Sequence, residues 1–205
     1  MAQFGYSRRL GRKPVDYPLP HDPAKFLKIP PSSASFAIAV QFTLENEGGY
    51  SNDPNDAGGP TNYGITQQDL SDWLGRPASA AEVQNMSIST AEAIYQKRYW
   101  DAGLAKLSQP AATAIFDSGV LCGTVRAREM AQASCNSLGA EPPLQIDGIV
   151  GPLSAAAINH FGAGFIKRFA ADLRRYFADI VARDPSQEEF INGWDNRANR
   201  IAALV

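Results

Sequence analysis

Residues 44–66 read LENEGGYSNDPNDAGGPTNYGIT, and this stretch decides how the surrounding chain is interpreted. Before it, Phe36, Ala39, Val40 and Leu44 recur at helical spacing, so a helix is predicted from residue 35 to the glycine pair at 48–49. After the glycines, the stretch is rich in Gly, Asn, Asp and Pro, which favours turns and a short hairpin. We therefore predict one helix followed by a small turn-rich or β lobe.

The remainder of the chain is predicted to be helical. Thr66 and Asp69 open one helix, which Gly75 closes, and capping-box patterns start at Ser79 and Ser89. Further helices are predicted over residues 110–121, 124–138, 151–161 and 165–181, with a last one starting at Asp184-Pro185. The expected fold class is mainly α.

Composition excludes several classes of function. The 205 residues carry a formal net charge of −2 and are 44% hydrophobic, which is typical of a soluble globular protein and gives no field for nucleic acid or an anionic membrane. No apolar stretch is long enough to span a membrane. Two cysteines, without a CxxC pair, indicate neither a disulfide framework nor a zinc site, and Cys122 and Cys135 are expected to be reduced. We expect a monomer without metal or organic cofactor.

Residues 1–34 form a separate proline-rich, basic segment. Six of the 14 prolines lie there, which favours an extended arm, although a docking segment for a partner is an alternative. The basic residues near the N-terminus are not followed by the apolar region of a signal peptide. The expectation is a protein made in the cytoplasm without a recognisable export signal.

Glu47 is the first candidate for catalysis. A carboxyl at the end of a helix is held rigidly, and the partial negative charge of a helix C-terminus would raise its pKa, as a general acid requires. Asp56 is a second carboxylate in the loop, and Thr61 offers a hydroxyl that can hold a water. An acid and a water-positioning carboxylate are the minimum set for inverting glycoside hydrolysis. The alternatives are a solvated Glu47 and an Asp56 that caps a turn.

The same stretch closely resembles the signature of glycoside hydrolase family 108, a family of bacterial and phage N-acetylmuramidases. Its three segments, E-G-G-Y, D-P-x-D-x-G-G and T-x-Y-G-I-T, are all met between Glu47 and Thr66. The resemblance implies a lysozyme-like helical fold, with Glu47 as the catalytic acid. The order Glu, Asp, Thr also resembles the catalytic set of phage-type lysozymes, which implies water positioning by Asp56 and Thr61 and an inverting outcome.

The resemblance extends over residues 36–200. Residues 94–101 are similar to the family's Y-x-x-x-Y-W segment, and Phe116-Asp117 to its F-D-x-x-V-N-x-G helix, although Leu121 stands where that pattern has Asn. Residues 147–152 and 190–197 resemble the predicted peptidoglycan domain that follows the catalytic region in the family. We accordingly divide the chain into the arm at 1–34, a catalytic region at 35–139 and a C-terminal peptidoglycan-binding region at 140–205.

Several further residues have two interpretations. Tyr50 and Tyr63 flank the loop and are candidates for sugar binding, with packing of the lobe as the alternative. Asp117 lies among apolar residues on a helix, so it either lines the cleft as a substrate contact or pairs with a neighbouring segment. Trp73, Trp100 and Trp194 are expected in the core.

The resemblance predicts a peptidoglycan hydrolase that cleaves the β-1,4 bond between N-acetylmuramic acid and N-acetylglucosamine. Its partner would be the glycan strand, reached in the periplasm or cell wall after release by a holin or other delivery machinery, or by carriage in a virion. A lytic transglycosylase and a non-catalytic wall-binding or phage structural module are the alternatives. Phage lysis by an endolysin is one context compatible with this activity.

Overall fold

A computed structural model describes residues 33–52 and 59–205 of the chain. It confirms a mainly α fold with one small β hairpin after the first helix. The arm predicted at 1–34 lies outside the described residues, apart from its last two positions. The helices and strands are α1 (Phe36–Leu44), β1 (Thr61–Asn62), β2 (Ile65–Thr66), α2 (Gln67–Leu74), α3 (Ala80–Gln84), α4 (Ile88–Tyr99), α5 (Gln109–Cys122), α6 (Thr124–Ser137), α7 (Pro152–Arg183) and α8 (Ile191–Ala202), with 3₁₀ turns at Leu104–Lys106 and Pro185–Phe190.

The predicted hairpin is formed by β1 and β2, which pair antiparallel with Thr61 opposite Thr66. Its two-residue turn has positive φ at both positions, 49° at Tyr63 and 74° at Gly64. This geometry matches the twist of antiparallel strands. The Asn62 amide donates to the carbonyl oxygens of Val83 and Gln84 at 3.1 and 3.0 Å, which attaches the hairpin to α3.

Local capping sets most helix ends where the sequence predicts them. The Thr66 and Ser79 capping boxes are both present, and Gly75 ends α2 in the left-handed conformation. The prediction for α4 was wrong by two residues: its N-cap is Ser87, whose hydroxyl accepts from the Thr90 N–H at 3.1 Å. Ser89 therefore lies inside the first turn.

Helix α5 lies at the centre of the core. Residues 111–121 are all buried, and they include the polar side chains of Thr113, Asp117 and Ser118. Phe116 makes edge-on contacts with Phe36, Tyr95 and Trp100, which belong to or follow α1 and α4. Helices α6 and α7 cover the other side of α5.

The C-terminal helices continue the same core. Helix α7 breaks at Gly162, where φ is 48° and ψ is −118°, between the two helices predicted there. Trp194 of α8 is 2% exposed and stacks on Phe177 at 4.7 Å, which confirms its predicted core position. The last helix begins at Ile191 rather than at Pro185, because residues 185–190 form a 3₁₀ turn.

Two predictions for aromatic and sulfur side chains have different outcomes. Trp73 was predicted in the core but is 39% exposed, with the Lys97 ammonium 5.4 Å from its ring centre. Cys122 and Cys135 are free thiols, and burial raises their pKa values to about 12 and about 11. Both thiols are therefore protonated at neutral pH.

Candidate active site

The backbone after α1 turns tightly and carries Glu47. Helix α1 ends at Leu44, four residues before the predicted glycine stop. The N–H groups of Asn46 and Glu47 both donate to the Thr43 carbonyl, at 2.9 and 3.1 Å, so the chain makes one further compact turn. Asn46 also donates from its side chain to the Phe42 carbonyl at 3.0 Å. The position of Glu47 is therefore set by the backbone of the helix end.

The Glu47 carboxylate forms an ion pair with Arg197 of α8. The distance from Arg197 Nη1 to Glu47 Oε1 is 2.8 Å, and the two side chains are 6% and 9% exposed. The residues are 150 positions apart in the sequence. The C-terminal helix thus contacts the predicted catalytic acid directly.

The same arginine binds Asp117 of α5 with two hydrogen bonds. Its Nε and Nη2 donate to Asp117 Oδ2 and Oδ1, each at 2.8 Å. Asp117 is fully buried, and Oδ1 also accepts from the Thr43 hydroxyl at 2.9 Å. Of the two roles predicted for Asp117, these contacts favour pairing within the protein over contact with substrate.

Arg197 stays charged in this setting. Burial opposes its charge, but the carboxylates of Asp117 and Glu47 outweigh burial and raise the pKa of Arg197 above its usual range. A buried guanidinium needs such partners, because an unpaired buried charge costs several kcal/mol. The buried row Asp117–Arg197–Glu47 is consequently a network of two carboxyl groups and one guanidinium.

The hairpin turn packs against the other oxygen of Glu47. A Cβ placed on Gly64 would lie 2.8 Å from Glu47 Oε2 and 2.5 Å from the Tyr95 hydroxyl. The Tyr95 hydroxyl itself donates to the Tyr63 carbonyl at 2.9 Å. The glycine in T-x-Y-G-I-T is therefore required both for its positive φ and for the space that Glu47 occupies.

Thr61 lies on the same hairpin. It is buried, and its backbone exchanges two hydrogen bonds of 2.9 Å with Ser51. This bridge joins the chain that leaves Glu47 to the chain that enters the hairpin. Asp56, the predicted second carboxylate, comes between Ser51 and Thr61 in the sequence and is outside the described part of the chain.

Tyr50 and Tyr63 are both half-buried and pack against the core. Each therefore contributes to packing, and their predicted role in sugar binding stays a prediction. Leu121, at the position where the family pattern has Asn, is 3% exposed within the core.

The sequence did not reveal the residues that lie close to Glu47 in the fold but far from it along the chain. Arg197 was noted only as part of a resemblance, and Arg200 and Tyr95 were given no role. Arg200 donates to Glu45 Oε2 at 2.8 Å, contacts the Asn46 side chain and lies 5.0 Å from the Phe42 ring centre. No spacing pattern connects residues so far apart, so only the fold identifies them.

Neither a cluster of metal-ligating side chains nor a membrane-spanning helix occurs in residues 33–52 and 59–205. This part of the chain contains no group of three or more His, Cys, Asp or Glu side chains suited to a metal ion. Within it, every helix is too short or too polar to cross a membrane.

Comparisons with known proteins agree with this geometry. Residues 40–123 match the family described as glycosyl hydrolase 108, and residues 126–199 match the predicted peptidoglycan domain. The division between the two matches falls at the start of α6, whereas the sequence division at 139–140 falls after α6. No curated protein matched the sequence.

A solved structure titled "Structure of Brucella abortus SagA" is similar to this chain. The two share 27% sequence identity and a TM-score of 0.60, over 82% of this chain and 95% of the other. The similarity therefore spans both matched regions. Around the Glu47 motif this chain is therefore similar to glycosyl hydrolase family 108, and the region that follows is similar to the predicted peptidoglycan domain.

Proposed function

We propose that this chain is an N-acetylmuramidase that cleaves the β-1,4 bond between N-acetylmuramic acid and N-acetylglucosamine with inversion. The coarser statement, a glycoside hydrolase acting on peptidoglycan, follows from the two family matches. The observation that carries the finer proposal is the Glu47 carboxyl, anchored on one oxygen by Arg197 and bordered on the other by the hairpin.

In the proposed reaction, Glu47 acts as the general acid. Its O–H bond breaks as the proton passes to the glycosidic oxygen, and the bond from that oxygen to C1 of the muramic acid ring breaks with it. A water oxygen forms the new bond to C1 from the opposite face, which inverts the configuration. Asp56 accepts the proton of that water, and the Thr61 hydroxyl orients it.

The roles of Asp56 and Thr61 rest on their place in the motif and on the Ser51–Thr61 bridge. The bridge closes the loop that contains Asp56 next to the helix end that carries Glu47. The proposal requires the Asp56 carboxylate to face the Glu47 carboxyl across the bound sugar. An inverting enzyme needs about 6.5–9.5 Å between its two carboxyl groups to admit the water.

The test of water positioning is the variant Asp56→Ala. Removal of a general base lowers the rate about 10²–10⁴-fold, so the variant should release soluble fragments from purified peptidoglycan at that reduced rate. NMR of the first product from the wild type should show the inverted anomer. A near-normal rate for Asp56→Ala, with anhydro products, would instead indicate a lytic transglycosylase.

We also propose that the protein acts on the wall outside the inner membrane. Its proposed substrate lies there, so a holin, another delivery machine or a virion would have to bring it across. Osmotic fractionation followed by immunoblotting would test this proposal. Recovery only in the cytoplasm of cells undergoing lysis would contradict it.

A further inference from the structure

Two arginines of the C-terminal helix α8 contact residues 45–47, which directly follow α1. Arg197 binds Glu47, and Arg200, one helical turn further on, binds Glu45 and Asn46. We propose that Arg197 is a positioning residue for Glu47, charge-balanced by Asp117, so that the C-terminal region completes the active site. This inference rests on the proposed function, in which Glu47 is the acid.

The contacts of Arg197 define the orientation of its side chain. Asp117 accepts two parallel hydrogen bonds from Nε and Nη2, and the remaining Nη1 points to Glu47 Oε1. A bidentate pair of this kind fixes the plane of the guanidinium. The donor that meets Glu47 therefore comes from a group with little freedom to rotate, which selects one orientation of the acid.

Asp117 also determines the charge that Glu47 experiences. Arg197 alone would strongly favour the ionised form of Glu47, which cannot donate a proton. Asp117 is fully buried and 2.8 Å from the guanidinium, so the pair is close to neutral overall. Arg197 can thus orient the carboxyl in its acidic form and stabilise the negative charge that develops when the proton leaves.

This arrangement assigns a second role to the C-terminal region. Arg197 lies within the part that matches the predicted peptidoglycan domain, residues 126–199, whereas Glu47 and Asp117 lie within residues 40–123. Arg197 of the C-terminal region is buried between Glu47 and Asp117 of the catalytic region. The C-terminal region therefore does more than bind the wall. It supplies a structural part of the catalytic apparatus.

The other groups around Glu47 must be considered in any pH experiment. The charged or titratable side chains that contact Glu47, its partner Arg197 or the hairpin turn beside it include Asp117 of α5 and Tyr95 of α4, and Arg200 of α8 binds the neighbouring Glu45. Arg200 is committed to Glu45 at 2.8 Å. Variants of Arg197 and Asp117 therefore change the charge that is closest to Glu47.

The test compares Arg197→Met with Asp117→Asn by pH–activity profile. The rate measured is the initial release of soluble fragments from purified peptidoglycan by the full-length protein. Arg197→Met removes a positive charge, so the alkaline limb of the profile should move to higher pH by about one pH unit. Asp117→Asn leaves the arginine unbalanced, so the same limb should move to lower pH. The maximal rate of Arg197→Met should fall about 10²-fold, because the acid loses its orientation.

Three further variants separate positioning from general stability. Arg197→Lys retains the positive charge but loses the planar guanidinium that binds Asp117 and Glu47 together. The alkaline limb of its pH profile should therefore stay near the wild-type position, while its maximal rate should be as low as that of Arg197→Met. The double variant Asp117→Asn/Arg197→Met removes the fully buried Asp117 carboxylate together with its guanidinium partner, so it is the variant to use if Arg197→Met does not fold. Arg174→Met is the matched control, because Arg174 binds Asn199 on the exposed side of α8. Its pH profile and maximal rate should be those of the wild type.

The outcomes distinguish this inference from the proposed function. If folded Arg197→Met and the double variant both keep the wild-type rate and profile, the inference is wrong. Alkaline limbs that move in the same direction for Arg197→Met and Asp117→Asn would also overturn it. If Glu47→Gln is fully active in the same assay, the proposed function fails instead, whatever the arginine variants show.

Discussion

At the scale of single residues, Gly64 is constrained both by its backbone conformation and by the side chains packed against it. Its φ of 74° belongs to the left-handed region, and its missing Cβ leaves room for Glu47 Oε2 and the Tyr95 hydroxyl. Gly75 shares the first constraint, with φ of 70°, but nothing lies within 4 Å of where its Cβ would be. The two glycines therefore form a natural pair for separating backbone strain from crowding at the site.

We predict that Gly64→Ala removes most of the activity, whereas Gly75→Ala removes stability only. Each alanine costs about 1–2 kcal/mol of folding free energy in the left-handed region. In Gly64→Ala the new methyl group also displaces the Glu47 carboxyl from its position. Denaturation midpoints and peptidoglycan-hydrolysis rates of both variants check this. Equal activities for the two variants would contradict the role given to Gly64.

At the scale of helices and strands, local capping positions the hairpin relative to α2. Thr66 ends β2 and begins α2, and its hydroxyl donates to Asp69 Oδ2 at 2.7 Å within a buried capping box. Asp69 also forms an ion pair with Arg98 of α4. The Ser79 capping box of α3 has the same pattern but is exposed to solvent.

We predict that Thr66→Ala destabilises the protein more than Ser79→Ala. Loss of a helix cap costs about 0.5–2 kcal/mol, and the loss is larger where a buried carboxylate loses a donor. Urea denaturation of the two variants measures the difference directly. A larger loss for Ser79→Ala would show that burial of the first cap adds nothing.

These elements also show what a sequence can predict. Caps, glycine stops and the hairpin turn depend on residues within four positions of each other, so α2, the start of α3, and α5–α6 were predicted almost to the residue. The error at the start of α4 arose because two local signals compete there, at Ser87 and Ser89. The buried network of Glu47, Arg197 and Asp117 could not be predicted, because the fold alone brings residues 150 and 80 positions apart together.

At the scale of the whole molecule, both matched regions share one hydrophobic core. The cluster of buried side chains runs from α1 through α5 to Phe177 and Trp194 without interruption. Helix α5 contacts α1 on one side and α6 and α7 on another. Domains joined in this way are expected to unfold as one cooperative unit.

We predict a single thermal transition for the described regions. Trp100 reports on the packing of α4 against α5, and Trp194 reports on α7 and α8. For each of the variants Trp100→Phe and Trp194→Phe, the midpoint of unfolding measured by fluorescence should coincide with the midpoint measured by circular dichroism. Two separated transitions would mean that the C-terminal region folds independently, which conflicts with its structural role at Glu47.

The central claim is that Glu47 drives hydrolysis of the glycan strand. The most direct measurement is mass spectrometry of the soluble products from purified peptidoglycan, with wild type and Glu47→Gln compared at equal concentrations of folded protein. We predict fragments with reducing-end muramic acid from the wild type and none from the variant. Anhydro-muramic ends from the wild type, or an active Glu47→Gln, would contradict the claim.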